Sequence, residues 1–421
     1  MSNRSITLSI LLRVLEKKEY LKRALDEIDP DSFDDPRNIG FIRREAHGVV
    51  DRMMELDAII NSISKIKIKR MHPVVRNTLR MGAYEILYMD SVPDSAAVNE
   101  CVQLVKKRRQ QRSVPMVNAL LRRLAREKDY SFEDLSLRYS MPRWIVDLWQ
   151  ESFGTKQTEQ ILASFLRESP IIIRVNKSKI STDELMARLK LQSIDAEPLD
   201  GFDMALKVSS SFPITITDEF KKGLFYVQSP GSISVCLLAD IKENDRIIDV
   251  CASPGGKSIH AADIMGGSGY VRAQDVSEQK LKPIRDNCTR CSFFNIETRI
   301  WDARVCDDSD IESFDVVLAD VPCSGLGVIG RKPEIKYRVT EESVRKLAAV
   351  QAEILDTVSQ YTKKGGTFVY STCTLTPYEN ELQIEAFLQK HTDFNRIKER
   401  RFIPGIDGNS DGFYICVMKR Q

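Results

Sequence analysis

Near the N-terminus, apolar residues recur at three- and four-residue spacing: Ile10, Leu11, Val14 and Leu15, then Leu21, Leu25 and Ile28. That period predicts helices, and it persists to about residue 128, punctuated by Pro30, Pro36, Pro73, Pro93 and Pro115. Residues 91–95 read as a loop leading into a helix from about Ala96. Between Val74 and Met89 the apolar or small residues at 75, 78, 79, 82, 83, 86 and 87 form one stripe. Its Gly82 and Ala83 allow close approach of a second helix, so core packing is its expected use. His47 and His72 stand alone in this region and read as structural.

From 129 to about 225 the pattern is mixed. Residues 135–153 predict a helix carrying Trp144 and Trp149, 170–175 a strand, and 203–217 further short strands, together a small α+β module. A basic-aromatic neighbourhood at 138–144 is weighed as packing ahead of nucleic-acid contact. From about 230 the rhythm becomes strand–loop–helix, as in a doubly wound α/β domain. Strands are predicted at 246–250, 270–274, near 298–301, at 314–319, 366–370 and 412–419, with a turn at 403–412. No internal repeat or low-complexity tract interrupts the 421 residues.

Composition narrows the class. Hydrophobic residues make up 42% and charged residues 29%, ordinary for a globular chain. No apolar window approaches the ~20 residues of a membrane helix, and the N-terminus lacks a signal-peptide pattern. The nine cysteines are therefore expected as thiols in a reducing cytoplasm. The net charge of +2 conceals two acid-free basic runs, six Lys/Arg between Lys65 and Arg80 and eight between Lys106 and Arg126. Such runs predict a polyanionic partner bound with strong salt dependence.

The segment Asp249-Val250-Cys251-Ala252-Ser253-Pro254-Gly255-Gly256-Lys257 follows the first α/β strand and opens a helix. Glycine there lets backbone N–H groups meet a ligand at a positive helix end. Asp275 ends the second strand, where it would accept from ribose hydroxyls, and Asp302 follows the third, where it would meet an adenine edge. Neither G-x-G-x-x-G nor G-x-x-x-x-G-K-[ST] is present, which points away from a dinucleotide or a cradled polyphosphate. A nucleoside without pyrophosphate, such as S-adenosylmethionine, fits; other nucleotides stay open.

Two cysteines leave the carboxyl edge of the predicted sheet, Cys323 in Ala319-Asp320-Val321-Pro322-Cys323-Ser324-Gly325 and Cys373 in Tyr370-Ser371-Thr372-Cys373-Thr374. A zinc pair lacks further ligands nearby, and Cys288-x-x-Cys291 with Cys306 resembles half a zinc site without a second ligand pair. Methylation of a pyrimidine at C5 needs this arrangement. A thiolate adding at C6 breaks the aromaticity and makes C5 nucleophilic, a carboxyl such as Asp320 at N3 offsets the charge, and a second cysteine has work when the C5 proton leaves.

These motifs resemble the RNA cytosine-C5 methyltransferases of the Sun/Nop2 type. The helical part is similar to the RNA-binding fold of NusB through Met81-Gly82-Ala83-Tyr84-Glu85-Ile86-Leu87, Ala96-Ala97-Val98-Asn99-Glu100 and Val117-Asn118-Ala119-Leu120-Leu121-Arg122. The resemblance implies a multidomain chain: an all-α NusB-like N-terminal domain (1–128), a small α+β connector (129–228) and a C-terminal α/β Rossmann-like class I methyltransferase domain (229–421). It implies Cys373 as nucleophile, Cys323 in product release, and Asp320 beside both donor and base. By it Ala252, Ser253, Pro254, Gly255, Gly256, Lys257 and Ser258 hold the donor with Asp275, Asp302 and Asp320, and no metal is needed. The implied substrate is 16S (small-subunit) rRNA, and a monomer without DNA or membrane partners is expected. Residues 325–332, with Arg331 and Lys332, would face RNA. Gln228-Ser229 stands where relatives commonly have Gln-Asp, which touches one hydrogen bond near the donor loop; Ser253 replaces a common Ala. An RNA chaperone with an inactive methyltransferase domain is disfavoured by the intact cysteines and acids, and a nicotinamide dehydrogenase by the missing glycine pattern.

Overall fold

The computed structural model describes residues 2–421 except 30–32, 34, 36, 168, 211 and 409. Pro30 and Pro36, read as helix punctuation, lie outside the described residues. The chain forms two units, Met1–Arg167 with Ile329–Arg338, and Glu168–Val328 with Val339–Gln421.

The first unit is helical and has one apolar core. Its central helix, Pro73–Tyr88, carries Pro at the first turn, where a missing N–H costs nothing, and His72 Nδ1 accepts from Val74 N at 3.2 Å. The predicted stripe is its inward face: Val75, Thr78, Leu79, Gly82, Ala83 and Ile86 are buried. A Cβ on Gly82 would stand 2.8 Å from Leu121 and 3.0 Å from Cys101, so only hydrogen fits between this helix and the helices Asp94–Lys107 and Val114–Arg126. The helix predicted over 135–153 is instead two, Leu135–Arg138 and Arg143–Phe165. Pro142 disfavours helical geometry in the residue before it, and Ser140 takes φ 50° to turn the chain. Arg138 and Arg143 in the 138–144 neighbourhood pair with Glu159 (3.2 Å) and Asp147 (2.8 Å).

Residues Ile329–Arg338 join this unit through specific polar contacts. The fully buried Lys336 ammonium meets the Asp51 carboxylate at 2.8 Å and its backbone oxygen at 2.7 Å, and Glu334 Oε1 accepts from Leu21 N at 3.1 Å. Among the described residues, Lys65, Lys67, Lys69 and Arg70 of the first basic run form no ion pair and are exposed, whereas Arg76 and Arg80 pair with Glu16 and Asp57. Lys106, Lys107, Arg109, Arg112 and Arg126 of the second run are likewise exposed and unpaired.

The second unit holds two sheets. Strands β1 (Ile171–Val175), β2 (Asp195–Leu199), β3 (Phe202–Ser209) and β4 (Phe225–Val227) form an antiparallel sheet in the order β2-β3-β1-β4. The helix Thr182–Leu191 covers it, with Leu185 and Leu189 in its core. The larger sheet contains β5 (Arg246–Asp249), β6 (Tyr270–Asp275), β7 (Ile296–Ile300), β8 (Phe314–Asp320), β9 (Thr362–Thr372), β10 (Phe394–Phe402) and β11 (Phe413–Arg420). Its order is β10-β11-β9-β8-β5-β6-β7, parallel from β9 to β7 and antiparallel at β10 and β11. Alternate residues feed two cores: Ile247, Val316, Leu318 and Val369 on one face, Ile248, Val317, Ala319 and Phe368 on the other. The expected all-α, α+β and α/β composition is observed. No helix among the described residues is long and apolar enough to cross a membrane.

Strand order reverses at β5, whose neighbours are β6 and β8. Open α/β sheets bind ligands outside the carboxyl ends of the strands at such a point.

Candidate active site at the carboxyl edge of the sheet

The loop after β5 leads into the helix Gly256–Ile264. Gly255 caps it with φ 100°, a left-handed conformation, and a Cβ there would approach Ile284 at 3.2 Å. The loop is pinned from several sides: Ala252 N donates to Gln274 O at 2.8 Å, and Pro254 O accepts from Tyr226 OH and Asn287 Nδ2, each at 3.2 Å. Asp275, at the end of β6, accepts from Ser253 N at 3.1 Å and Val276 N at 2.8 Å, and its carboxylate lies 3.0 Å from Lys280. Asp302, after β7, is gripped by its neighbour Arg304, whose side chain and backbone N–H hold the carboxyl below its ordinary range.

Beneath the loop, Asp249 is buried and accepts from Ser258 Oγ at 2.7 Å, while its Oδ1 has no hydrogen-bond partner among the described residues. Burial pushes this carboxyl up to about 6, against the pull of Lys257 and the Ser258 hydroxyl. A carboxyl raised in the folded state favours folding while it holds its proton. That contribution is complete below the unfolded value near 4 and disappears as pH rises to about 6. Asp249→Asn removes the dependence. The stability of the variant relative to wild type is therefore expected to climb between about pH 4 and pH 6, by an amount on the order of 2–3 kcal/mol in unfolding free energy, and to level off above. Thermal denaturation of both proteins across that range checks it; parallel curves refute it.

Lys257, in the first turn of the helix, forms an ion pair with Asp320 at the end of β8. Burial works against its charge, but the Asp320 carboxylate and its hydrogen bond outweigh that and raise the ammonium above its ordinary value. Asp320 also accepts from Ser371 Oγ at 2.8 Å, its register partner on β9. The Asp320 carboxylate is thus an acceptor on both sides, and the proton of the pair resides on lysine.

Beyond these paired strand ends the two cysteines meet. Cys323 Sγ and Cys373 Sγ are 3.3 Å apart, and both residues are half-buried. The hydrogen bond with Cys373, burial, and the nearby Cys373, Glu379 and Asp320 all push the Cys323 thiol up, so it stays protonated at neutral pH.

Sequence reading missed the scaffold behind them. Glu379 is fully buried and accepts from Ser324 N (2.7 Å), Ser324 Oγ (2.5 Å), Thr376 Oγ1 (2.8 Å) and Gln351 Nε2 (3.0 Å). Asn380 accepts from Thr372 Oγ1 at 2.6 Å and donates to Thr374 O at 3.2 Å. The available signal was a polar tract, Ser371 to Thr376, directly after an apolar strand: so many hydroxyls need buried partners.

Ser229 caps the helix Pro230–Leu238, its Oγ accepting from Ser232 N at 3.4 Å. Gln228 links Arg174 (2.8 Å) to Ser232 Oγ (3.1 Å). Cys288 and Cys291 are buried along the helix Glu278–Cys291. Among the described residues no group of three His, Cys, Asp or Glu could hold a metal ion.

Residues 236–419 match the family model described as 16S rRNA methyltransferase RsmB/F. Residues 1–126 match the NusB family and 141–215 the ferredoxin-like domain of RsmF/B-like methyltransferases. The chain is 32% identical to the probable ribosomal RNA small subunit methyltransferase B of Bacillus subtilis (strain 168), over 100% of this chain and 99% of that one. The chain belongs to the RsmB/F family of ribosomal RNA methyltransferases. It is also 30% identical to ribosomal RNA small subunit methyltransferase B of Photorhabdus laumondii, over 99% of this chain and 98% of that one. The RsmB/F fold is shared with two solved structures. PH0851 superposes with a TM-score of 0.84 at 22% identity, covering 100% of this chain and 99% of that one. A methyltransferase homolog protein from Pyrococcus horikoshii gives 0.61 at 26% identity, covering 68% and 98%.

Proposed function

We propose that the chain transfers a methyl group from S-adenosylmethionine to C5 of a specific cytosine in 16S rRNA, with a transient bond between Cys373 and C6. The observation that carries this reading is the 3.3 Å separation of two cysteine sulfurs next to the Lys257–Asp320 pair. Family membership supports an rRNA substrate and this donor. The exposed, unpaired lysines and arginines of the helical unit support RNA binding, since each phosphate neutralised releases counterions. In this reading residues 1–128 bind RNA, 129–228 connect, and 229–421 carry out the chemistry in the cytoplasm.

The donor set suits the proposed methyl donor. Asp275, Asp302 and Asp320 follow or end β6, β7 and β8 around a helix N-terminus, so carboxylates suited to ribose hydroxyls and a cationic ligand ring one edge of the sheet. Ala252 to Ser258 hold its methionine and ribose region, Asp275 the ribose, and Asp302 the adenine side. When bound, S-adenosylmethionine supplies an electrophilic methyl group. The Cys373 thiolate adds to C6, the ring electrons move to C5, and the Lys257–Asp320 pair supplies the proton that balances N3. After C5 takes the methyl group, the C5 proton passes to solvent water, its bonding pair rebuilds the C5–C6 double bond, the C6–S bond breaks with its electron pair returning to Cys373, and N3 gives its proton back to the Lys257–Asp320 pair. Cys323 assists this release.

The test uses the purified full chain, unmodified 16S rRNA and isotopically labelled donor. Nucleoside digestion is expected to give label in 5-methylcytidine alone; label in another nucleoside, or none, overturns the reading.

A further inference from the structure

The loops bearing the two cysteines converge on a carboxylate that the proposed chemistry does not use. Glu379 is fully buried and, among the described residues, forms no ion pair; four hydrogen bonds offset its desolvation instead. Two come from Ser324, the residue after Cys323, and one from Thr376 on the Cys373 loop. Ser324 Oγ also meets Thr374 Oγ1, on the residue after Cys373, at 2.7 Å. Gln351, the fourth donor, reaches Pro322 O at 2.9 Å, on the residue before Cys323. Both cysteine loops are therefore tied to one carboxylate through residues close to each sulfur.

We propose that Glu379 is the positioning residue that sets the Cys323–Cys373 sulfur separation. The negative charge matters as well as the shape. Every partner donates to it, so an amide at this place turns an N–H toward another N–H and releases one loop. The catalytic consequence rests on the proposed function; the geometric claim does not.

The test is therefore made first on the thiols. Diamide, a two-electron thiol oxidant, removes one hydrogen from each sulfur onto its N=N bond and leaves a Cys323–Cys373 disulfide, read by peptide mapping. In wild type, at 3.3 Å, the bond is expected to form readily. In Glu379→Gln its rate is expected to fall about tenfold or more, the size of effect expected when charge-assisted hydrogen bonds are lost. In the methylation assay kcat falls in step while KM for RNA and donor stays within about twofold, a split that general loosening of the fold would not give. Glu385→Gln, an exposed carboxylate on the helix Glu381–Lys390, changes neither reading. Should Glu379→Gln fail to fold, Ser324→Ala removes the hydroxyl bonds to Glu379 and Thr374 and carries the same expectation. Disulfide formation at the wild-type rate in a folded variant overturns the proposal. If the wild-type chain methylates no RNA, the functional reading fails, and the oxidation rates still decide this one.

Discussion

Cys373→Ala is expected to transfer no methyl group, a loss of at least about 10⁴-fold in kcat, while RNA affinity remains within about twofold of wild type. The cytosine ring offers no nucleophilic carbon at C5 until something adds at C6. Without the thiolate the remaining groups can bind and orient but cannot make the C5–methyl bond. RNA affinity should survive because the exposed cations that support it belong to the helical unit and the substitution removes only one half-buried thiol. The measurements are single-turnover transfer with labelled donor and a filter or gel binding curve at fixed salt. Full transfer by the variant would remove Cys373 from the chemistry. Loss of binding together with transfer would mean the alanine had disturbed the fold instead.

The sequence made some of this legible and hid the rest for physical reasons. Strands β5 and β8 stood out because they are covered on both faces and carry apolar runs, such as Val316 to Ala319. Parallel order then placed Asp320 and the Cys323 loop beside Ser371 and the Cys373 loop, which is how they pair. The strand β10 was missed. Its interior, Asn395 to Arg401, is exposed and mostly charged, the composition of a protected sheet edge and nearly that of a loop. The strands β2 and β4 and the helix Thr182–Leu191 were not separated from the connector, because the strands are short and the helix keeps much of its surface in water.

Charged residues buried by pairing were the hardest to read. Lys336 looks like a solvated lysine in sequence, yet it is enclosed with Asp51, 285 positions away. Glu379, in Pro377-Tyr378-Glu379-Asn380, reads as the polar start of a helix. Burial of such groups depends on partners that no local pattern reveals, since a charge enters the interior only when hydrogen bonds or a counter-charge await it.

Cys323→Ala separates the two halves of the proposed reaction. The first half needs Cys373 to attack C6 and C5 to take the methyl group, and neither bond involves Cys323. The second half needs the C5 proton removed and the C6–S bond broken, and Cys323 is the sulfur 3.3 Å from the one that must leave. The variant is therefore expected to accumulate enzyme joined to RNA, in near-stoichiometric yield, while multiple turnover falls by about 10²-fold or more. A denaturing gel under turnover conditions reads the joined species directly, and digestion should leave the modified nucleotide on the peptide containing Cys373. In Cys323→Ala/Cys373→Ala the species should vanish, because the attacking sulfur is gone. If Cys323→Ala turns over as wild type and no joined species forms, release does not depend on Cys323. If the nucleotide is found on any other cysteine, the two roles have been assigned to the wrong sulfurs.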